Sequence, residues 1–292
     1  MAGMSVAVAG AAAKTLSPGS LRPGSFETFA AILKAGSGLS IGPDKLYLLE
    51  ARLGPIARGA GLPGLDALAE RLRGPGHQDL ERRVVEAMTT NESLFFRDTK
   101  PFVHVRTQAL PTLAAGRAPG TKLRIWSAAA SSGQEAYSLA MIAADNKPIL
   151  GGRGIEIIGT DISGAALARA REGIYTQFEV QRGLPMQALV KHFRKEGAQW
   201  RINDDLRATV SFKLWNLLAD ARPLGQFDIV FCRNVLIYFD AATKARVLDI
   251  IAAQLAPDGW LYLGGAETVM GLTHRFVPVA GEHGIYRLAN GK

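Results

Sequence analysis

Leu123–Leu139 reads LRIWSAAASSGQEAYSL: an apolar run, five small residues, one glycine, then a pattern at helical spacing. Such a strand, tight turn and helix is the opening unit of a nucleotide-type α/β fold. Outward from it the same alternation recurs. IEIIGTD, FDIVFCRN and GWLYLGGAE have strand character, and SGAALARAREGIY and AATKARVLDIIAAQL have helical character. RFVPVAGEHGIYRL, near the end, has the pattern of a closing hairpin. Alternation of this kind predicts a mainly parallel sheet with helices on both faces and antiparallel strands added at one edge.

One segment breaks the rhythm. Between Tyr175 and Phe212, PMQALVKHF is an amphipathic helix, and WRINDDLRATVSF reads as two short strands around Asn203-Asp204-Asp205. Residues 173–213 are therefore expected to form a small inserted helix and β-subdomain. Upstream, FETFAAILKAG, KLYLLEARLGPIARGAG, LDALAERLRG and DLERRVVEAMTT each carry apolar residues along one helical face, with no strand pattern between them. The expected division is a tail over 1–24, a helical domain over 25–90, a linker with a connecting helix over 91–118, and an α/β domain over 119–292.

Composition narrows the class. Of 292 residues, 48% are hydrophobic and 21% charged, as in an ordinary globular protein. The net charge of +8 comes from singly scattered Lys and Arg, which suits an acidic protein partner as well as a nucleic acid. A single cysteine, Cys232, excludes an internal disulfide framework and points to a cytoplasmic protein. The five histidines lie far apart, with no metal-ligand spacing, so no metal is expected. MAGMSVAVAGAAAK lacks the positive residue that precedes a secretory apolar run, and a disordered tail is expected there. No later run reaches the length of a membrane span.

Three expected strand ends carry chemistry. After LRIWSA, the loop Ala128–Ser132 is small enough for backbone to approach a ligand, and Gly133 supplies the turn. Glu135, in the first helical turn, would repel a phosphate and attract an amine. That disfavours a dinucleotide and favours S-adenosylmethionine, whose methionine end carries an ammonium. Complementing the helix dipole is the alternative. Asp161 ends the next strand 26 residues after Glu135, near the distance expected of an acid that holds a ribose diol; a helix cap is the alternative. After FDIVF, Cys232 is expected to pack as a small hydrophobe, followed by Arg233, Asn234 and, a turn later, Tyr238.

Together TTNESLFFRD (89–98), WSAAASSGQEAYS (126–138), GTDIS (159–163) and FCRNVLIYFD (231–240) resemble the CheR family, the chemotaxis receptor glutamate O-methyltransferases. The resemblance covers the chain from about residue 25. It implies a class I S-adenosylmethionine-dependent methyltransferase domain, a Rossmann-like sheet with a small inserted β-subdomain, preceded by a small all-helical domain. It further implies that Asn91, Ser93 and Arg97 touch the cofactor or frame the methyl site. Glu135 would hold the ammonium and Asp161 the ribose hydroxyls, Asn216 and Leu217 would meet the adenine, and Arg233, Asn234 and Tyr238 would line the transfer site. Arg97 and Tyr238 are the catalytic candidates. Without the family, Phe95 and Phe96 read as interdomain core.

The chain departs from the family pattern in places. Gln134 and Ala136 stand where Glu and Pro are common, Ser93 replaces a threonine, and Gly264-Gly265-Ala266-Glu267 stands where Gly-His-Ser-Glu is usual. The product implied is S-adenosylhomocysteine, and the implied partners are cytoplasmic domains of methyl-accepting chemoreceptors, met by a monomer. Lys45, Arg52 and Arg58 are candidates for a basic receptor-facing surface. A cofactor- or receptor-sensing module without catalysis remains an alternative, as does a nucleic-acid methyltransferase, although the chain lacks an aromatic and basic strip for stacking bases.

Overall fold

A computed structural model describes residues 21–289. The expected tail thus lies outside the described residues except for its last few positions, where the boundary moves earlier: a helix starts at Pro23, not after residue 24. Proline suits that first helical position because its missing N–H has no intrahelical partner to lose.

The described chain divides into two compact units, one holding residues 21–32 and Ile41–Met88, the other Leu33–Ser40 and everything from Thr89. The smaller is helical throughout. In the helix Leu46–Gly59, Leu49, Leu53, Ile56 and Ala57 are buried, the spacing of a single helical face. The helices Leu65–Arg73 and Gln78–Met88 contribute Leu65, Leu68 and Ala69, and Val84, Val85 and Met88. Arg52 donates to the Met88 carbonyl at 2.9 Å, satisfying one of the acceptors that a helix end leaves open.

The larger unit holds ten strands: β1 (Leu123–Ala128), β2 (Ile155–Asp161), β3 (Ile174–Thr176), β4 (Phe193–Glu196), β5 (Gln199–Ile202), β6 (Val210–Leu214), β7 (Phe227–Cys232), β8 (Leu255–Leu263), β9 (Phe276–Pro278) and β10 (Ile285–Leu288). A seven-stranded sheet runs in the order β6-β2-β1-β7-β8-β10-β9. Strands β6 to β8 in that order are parallel, and β10 and β9 close it as the antiparallel pair expected from RFVPVAGEHGIYRL. β7 is buried at every residue, the continuous apolar run that a central parallel strand requires. Among the described residues, no helix is long and apolar enough to cross a membrane.

The inserted segment differs from its expected form. WRINDDLRATVSF is not a hairpin: β5 pairs with β3 and β4 in a separate antiparallel sheet, whereas β6 joins the main sheet beside β2. Asn203-Asp204-Asp205, read as a turn, opens a helical turn over Asp204–Arg207. Packing decides the outcome. Phe212 in β6 fills the space over Gly159, where a β-carbon would lie 2.6 Å from its ring. Residues 210–213 therefore belong to the main sheet, not to the subdomain expected over 173–213.

Candidate active site

The chain passes from β1 to β2 on one side and later to β7 on the other, so the sheet order reverses beside β1. In an open parallel sheet the crevice at such a point, outside the carboxyl ends of the strands, receives the ligand. Ala128, at the end of β1, lies between Thr160 of β2 and Cys232 of β7. The loops carrying Glu135, Asp161 and Arg233 thus leave the sheet side by side.

The backbone there is strained. Ala129, Ser131 and Asn234 have left-handed φ values of 64°, 51° and 58°, and in the linker Phe96, Asp98 and Thr99 have 48°, 65° and 43°. Non-glycine residues persist in this region only where surrounding bonds hold them. Ser131 is held twice: its N–H donates to Asp161 Oδ2 at 2.8 Å and its hydroxyl to the Asn91 carbonyl at 2.7 Å. Gly133, at φ 93°, is a glycine because of packing as well as backbone freedom. A β-carbon there would meet Ala170, Phe212 and Tyr137 at 3.0–3.1 Å.

The linker is docked by the same unit. Phe95 is fully buried, edge-on to Tyr175 at 4.9 Å and Phe193 at 5.6 Å, and the Phe96 N–H donates to Ser138 Oγ at 3.0 Å. Phe95 is thus core of the α/β unit and its inserted sheet. Tyr175 also donates its hydroxyl to the Ser132 carbonyl at 2.7 Å, tying β3 to the loop after β1.

Arg233 forms the electrostatic centre. Its side chain is 1% exposed. It donates to Glu135 Oε2 at 3.2 Å, to the Arg97 carbonyl at 2.9 Å and to Asp98 Oδ2 at 2.6 Å, beside the Phe102 and Phe231 rings. Its Nε, although buried, has no partner among the described residues. Glu135 Oε1 accepts from Ser127 Oγ at 2.8 Å. Burial pushes the Glu135 carboxyl above its ordinary range, against the pull of Arg233 and Ser127, so a second cation there would be favourable. Burial also pushes up the Cys232 thiol, with Glu267 and Glu135 adding to it; Cys232 is inert packing.

Residues 91–285 match the family model described as the CheR methyltransferase SAM binding domain, and residues 24–89 match the CheR methyltransferase all-alpha domain. The chain belongs to the CheR methyltransferase family. S-adenosylmethionine is its cofactor, and it is a methyltransferase. The chemotaxis protein methyltransferase Cher2 of Pseudomonas putida is 39% identical over 264 residues, covering 89% of this chain and 96% of the relative. Chemotaxis protein methyltransferase 1 of Pseudomonas aeruginosa is 40% identical over the same coverage. Its namesake in Vibrio cholerae is 39% identical over 267 residues, 90% of this chain and 96% of the relative.

In this CheR-family methyltransferase the expected site residues fall into two groups. Glu135, Asp161, Arg233, Asn91 and Asn216 are engaged with protein. Asp161 accepts the Ser131 N–H at Oδ2 and the Ser163 N–H at Oδ1, while burial pushes its carboxyl upward. A carboxylate has about four lone-pair directions, so acceptor capacity remains for ligand hydroxyls. Asp161 is not the helix cap; Ser163 is, accepting from Ala166 N. Asn91 donates to Ser163 Oγ at 3.3 Å. Asn216 donates to the Gly36 carbonyl at 2.7 Å and accepts from Leu218 N at 2.9 Å, a clip that uses both ends of its amide. Leu217 is buried among the residues around Trp126 and Ile158. By contrast, no hydrogen bond or ion pair engages the side chains of Ser93, Arg97, Asn234 and Tyr238 among the described residues, and all four are half-buried.

The buried carboxylate of Glu135 and the small-residue loop fit a cofactor that carries an ammonium. Two residues that the sequence showed only within departures from the family pattern are engaged in the same loops. Gln134 accepts from Ser132 Oγ at 2.9 Å, shaping the loop as a neutral partner. Glu267 is the other. Its carboxylate receives the N–H groups of Asn234, Val235, Ile237 and Gly264 at 2.8, 2.9, 3.3 and 2.6 Å. The sequence signal was present in the acid that follows Gly264-Gly265 beyond the last parallel strand.

Proposed function

We propose that this protein methylates glutamate side chains on the cytoplasmic domains of chemoreceptors, forming glutamyl methyl esters in a chemotaxis pathway, and that it works in the cytoplasm as a monomer. The observation that supports the reading is the line of contacts from Glu135 through Arg233 to the Arg97 carbonyl, next to an Arg97 guanidinium with no side-chain partner among the described residues. The names of the relatives, all chemotaxis protein methyltransferases, support it.

When bound, the cofactor supplies a methyl group made electrophilic by its sulfonium. In this reading Glu135 holds the ammonium, Asp161 the ribose hydroxyls, and Asn216 and Leu217 border the adenine side. Asn91 and Ser93 line the crevice from the linker. An acceptor glutamate with an ordinary pKa of about 4.3 is ionised at neutral pH, so no general base is needed. The protein's task is orientation. Arg97 suits it because a guanidinium can grip a carboxylate through two parallel hydrogen bonds, and because Arg233 fixes the Arg97 backbone. The Tyr238 hydroxyl and the Asn234 amide, both uncommitted, complete the polar lining.

The test is incubation with methyl-labelled cofactor and receptor-bearing membranes or, separately, RNA. Label on receptor protein that mild base releases supports the proposal. Stable label on RNA, or none on any substrate, overturns it. In the same assay Arg97→Ala is expected to lower the rate about 10²-fold through lost orientation. An unchanged rate would remove Arg97 from the mechanism.

A further inference from the structure

Residues 96–99, which carry Arg97, form a turn under backbone strain. Phe96, Asp98 and Thr99 are left-handed at φ 48°, 65° and 43°, so Arg97 sits between residues in a conformation that L side chains seldom adopt. Two backbone bonds close the turn: the Thr99 N–H donates to the Phe96 carbonyl at 2.9 Å, and the Lys100 N–H donates to the Asp98 carbonyl. Two side chains tie it to the α/β unit. Ser138 Oγ accepts the Phe96 N–H, and Arg233 grips two consecutive residues with one nitrogen. Its Nη2 spends one hydrogen on the Arg97 carbonyl at 2.9 Å and the other on Asp98 Oδ2 at 2.6 Å, while Nη1 reaches Glu135. The Arg233 side chain is 1% exposed and that of Asp98 51%, so a fixed buried cation holds a half-exposed carboxylate.

We propose that Asp98 is a positioning residue for Arg97. Its carboxylate completes the clamp through which Arg233 fixes the turn, and so sets where the Arg97 guanidinium stands when it meets an acceptor carboxylate. Asp98 acts through Arg233 and not on the reacting atoms. The proposal rests on the orienting role given to Arg97 above. Two features single out Asp98. It is the acid next to Arg97 in the chain, and its engagement with Arg233 leaves the Arg97 guanidinium for another carboxylate. It also supplies the stronger half of the clamp. A bond between charged groups is roughly twice as strong as a neutral one, and without it the Arg97 carbonyl alone would hold the strained turn to Arg233.

Asp98→Asn is the test, because asparagine accepts a left-handed backbone as aspartate does and only the charge is lost. Hydrogen exchange of the full chain without ligand reads the clamp directly. Amides of residues 96–102 are expected to exchange at least about threefold faster in Asp98→Asn, with those of β7 as in wild type. Unchanged exchange over 96–102 overturns the proposal whatever the acceptor is, and so does an equal rise in β7, the mark of general instability. Methyl transfer to receptor-bearing membranes at saturating cofactor reads the consequence. Asp98→Asn is expected to be about tenfold slower than wild type, but in an Arg97→Ala background the same substitution changes the rate less than about twofold. A structural role alone would slow both backgrounds equally, and that result overturns the proposal. A wild-type rate in Asp98→Asn beside a slow Arg97→Ala overturns it while sparing the role of Arg97. A wild-type rate in Arg97→Ala removes that role, and the proposal falls with it. If wild type labels no receptor, the function proposed above fails and exchange alone decides.

Discussion

The loops after β1 and β7 solve one problem in two ways. Each contains left-handed non-glycine residues, and each is pinned by a buried carboxylate from the end of a neighbouring strand. Asp161 pins the first through the Ser131 N–H and takes the Ser163 N–H from its own loop, whereas Glu267 pins the second through three N–H groups and takes the Gly264 N–H from its own loop. The difference is one of capacity. Asp161 keeps lone pairs for a ligand and so can be both frame and contact. Glu267 takes four N–H groups on its two oxygens, so it serves as frame. An acid at a strand end therefore has no fixed meaning; the number of N–H groups converging on it decides.

The severest way to break the comparison is Glu267→Ala. Removing a buried acceptor from four donors is expected to cost about 3–5 kcal/mol in denaturant unfolding, while Asp161→Ala costs about half as much. Equal losses would mean the two clamps are equivalent. Gly264→Ala comes next. Its β-carbon, 2.7 Å from Glu267 Oε2, forces overpacking worth about 1–3 kcal/mol, against a few tenths for Gly265→Ala, read in the same titration. Ligand capacity is tested by a cofactor product lacking the ribose hydroxyls. Wild type and Glu267→Gln are expected to bind it about tenfold more weakly than intact product, while Asp161→Ala no longer tells the two apart.

The smallest effect concerns pH and the β8 side alone. His104 is buried, with Nδ1 2.8 Å from the Tyr262 hydroxyl two residues before Gly264, and burial lowers its pKa. The neutral ring is thus the folded form. Below the unfolded value of about 6.5, the unfolded chain takes up a proton that the folded chain refuses. Stability contributed by His104 is therefore full above that pH and declines as pH falls toward the folded value. His104→Gln is expected to flatten the midpoint of unfolding between about pH 7 and 5 relative to wild type. An unchanged slope would exclude His104 as a contributor.

Much of the architecture was legible because it is written in periodicity. Alternating apolar runs and helical stripes predicted the parallel sheet and its final hairpin, and their order matched the observed β1, β2, β7 and β8. The hairpin expected around Asn203 failed because turn-forming residues also begin helices, and only the vacancy over Gly159 tells Phe212 which sheet to join. In the site, Glu135 and Asp161 were visible as acids at strand ends. Arg233, expected to line the transfer site, turned out to spend its guanidinium on Glu135, Asp98 and the Arg97 carbonyl, partners up to 136 residues away in sequence. Gln134, noted only as a departure from the family, became a loop partner of Ser132.

By itself, then, the sequence determined the fold class, the cofactor and the strand ends at which chemistry occurs, because hydrophobic period and residue type are local properties. Tertiary structure alone decided which polar groups stay free. Ser93, Arg97, Asn234 and Tyr238 are uncommitted while Asp161, Asn216, Arg233 and Glu267 are engaged, and a side chain's commitment depends on donors and acceptors brought from distant strands. Buried polar groups must find partners. Those left unpartnered keep their hydrogen-bonding capacity for other groups.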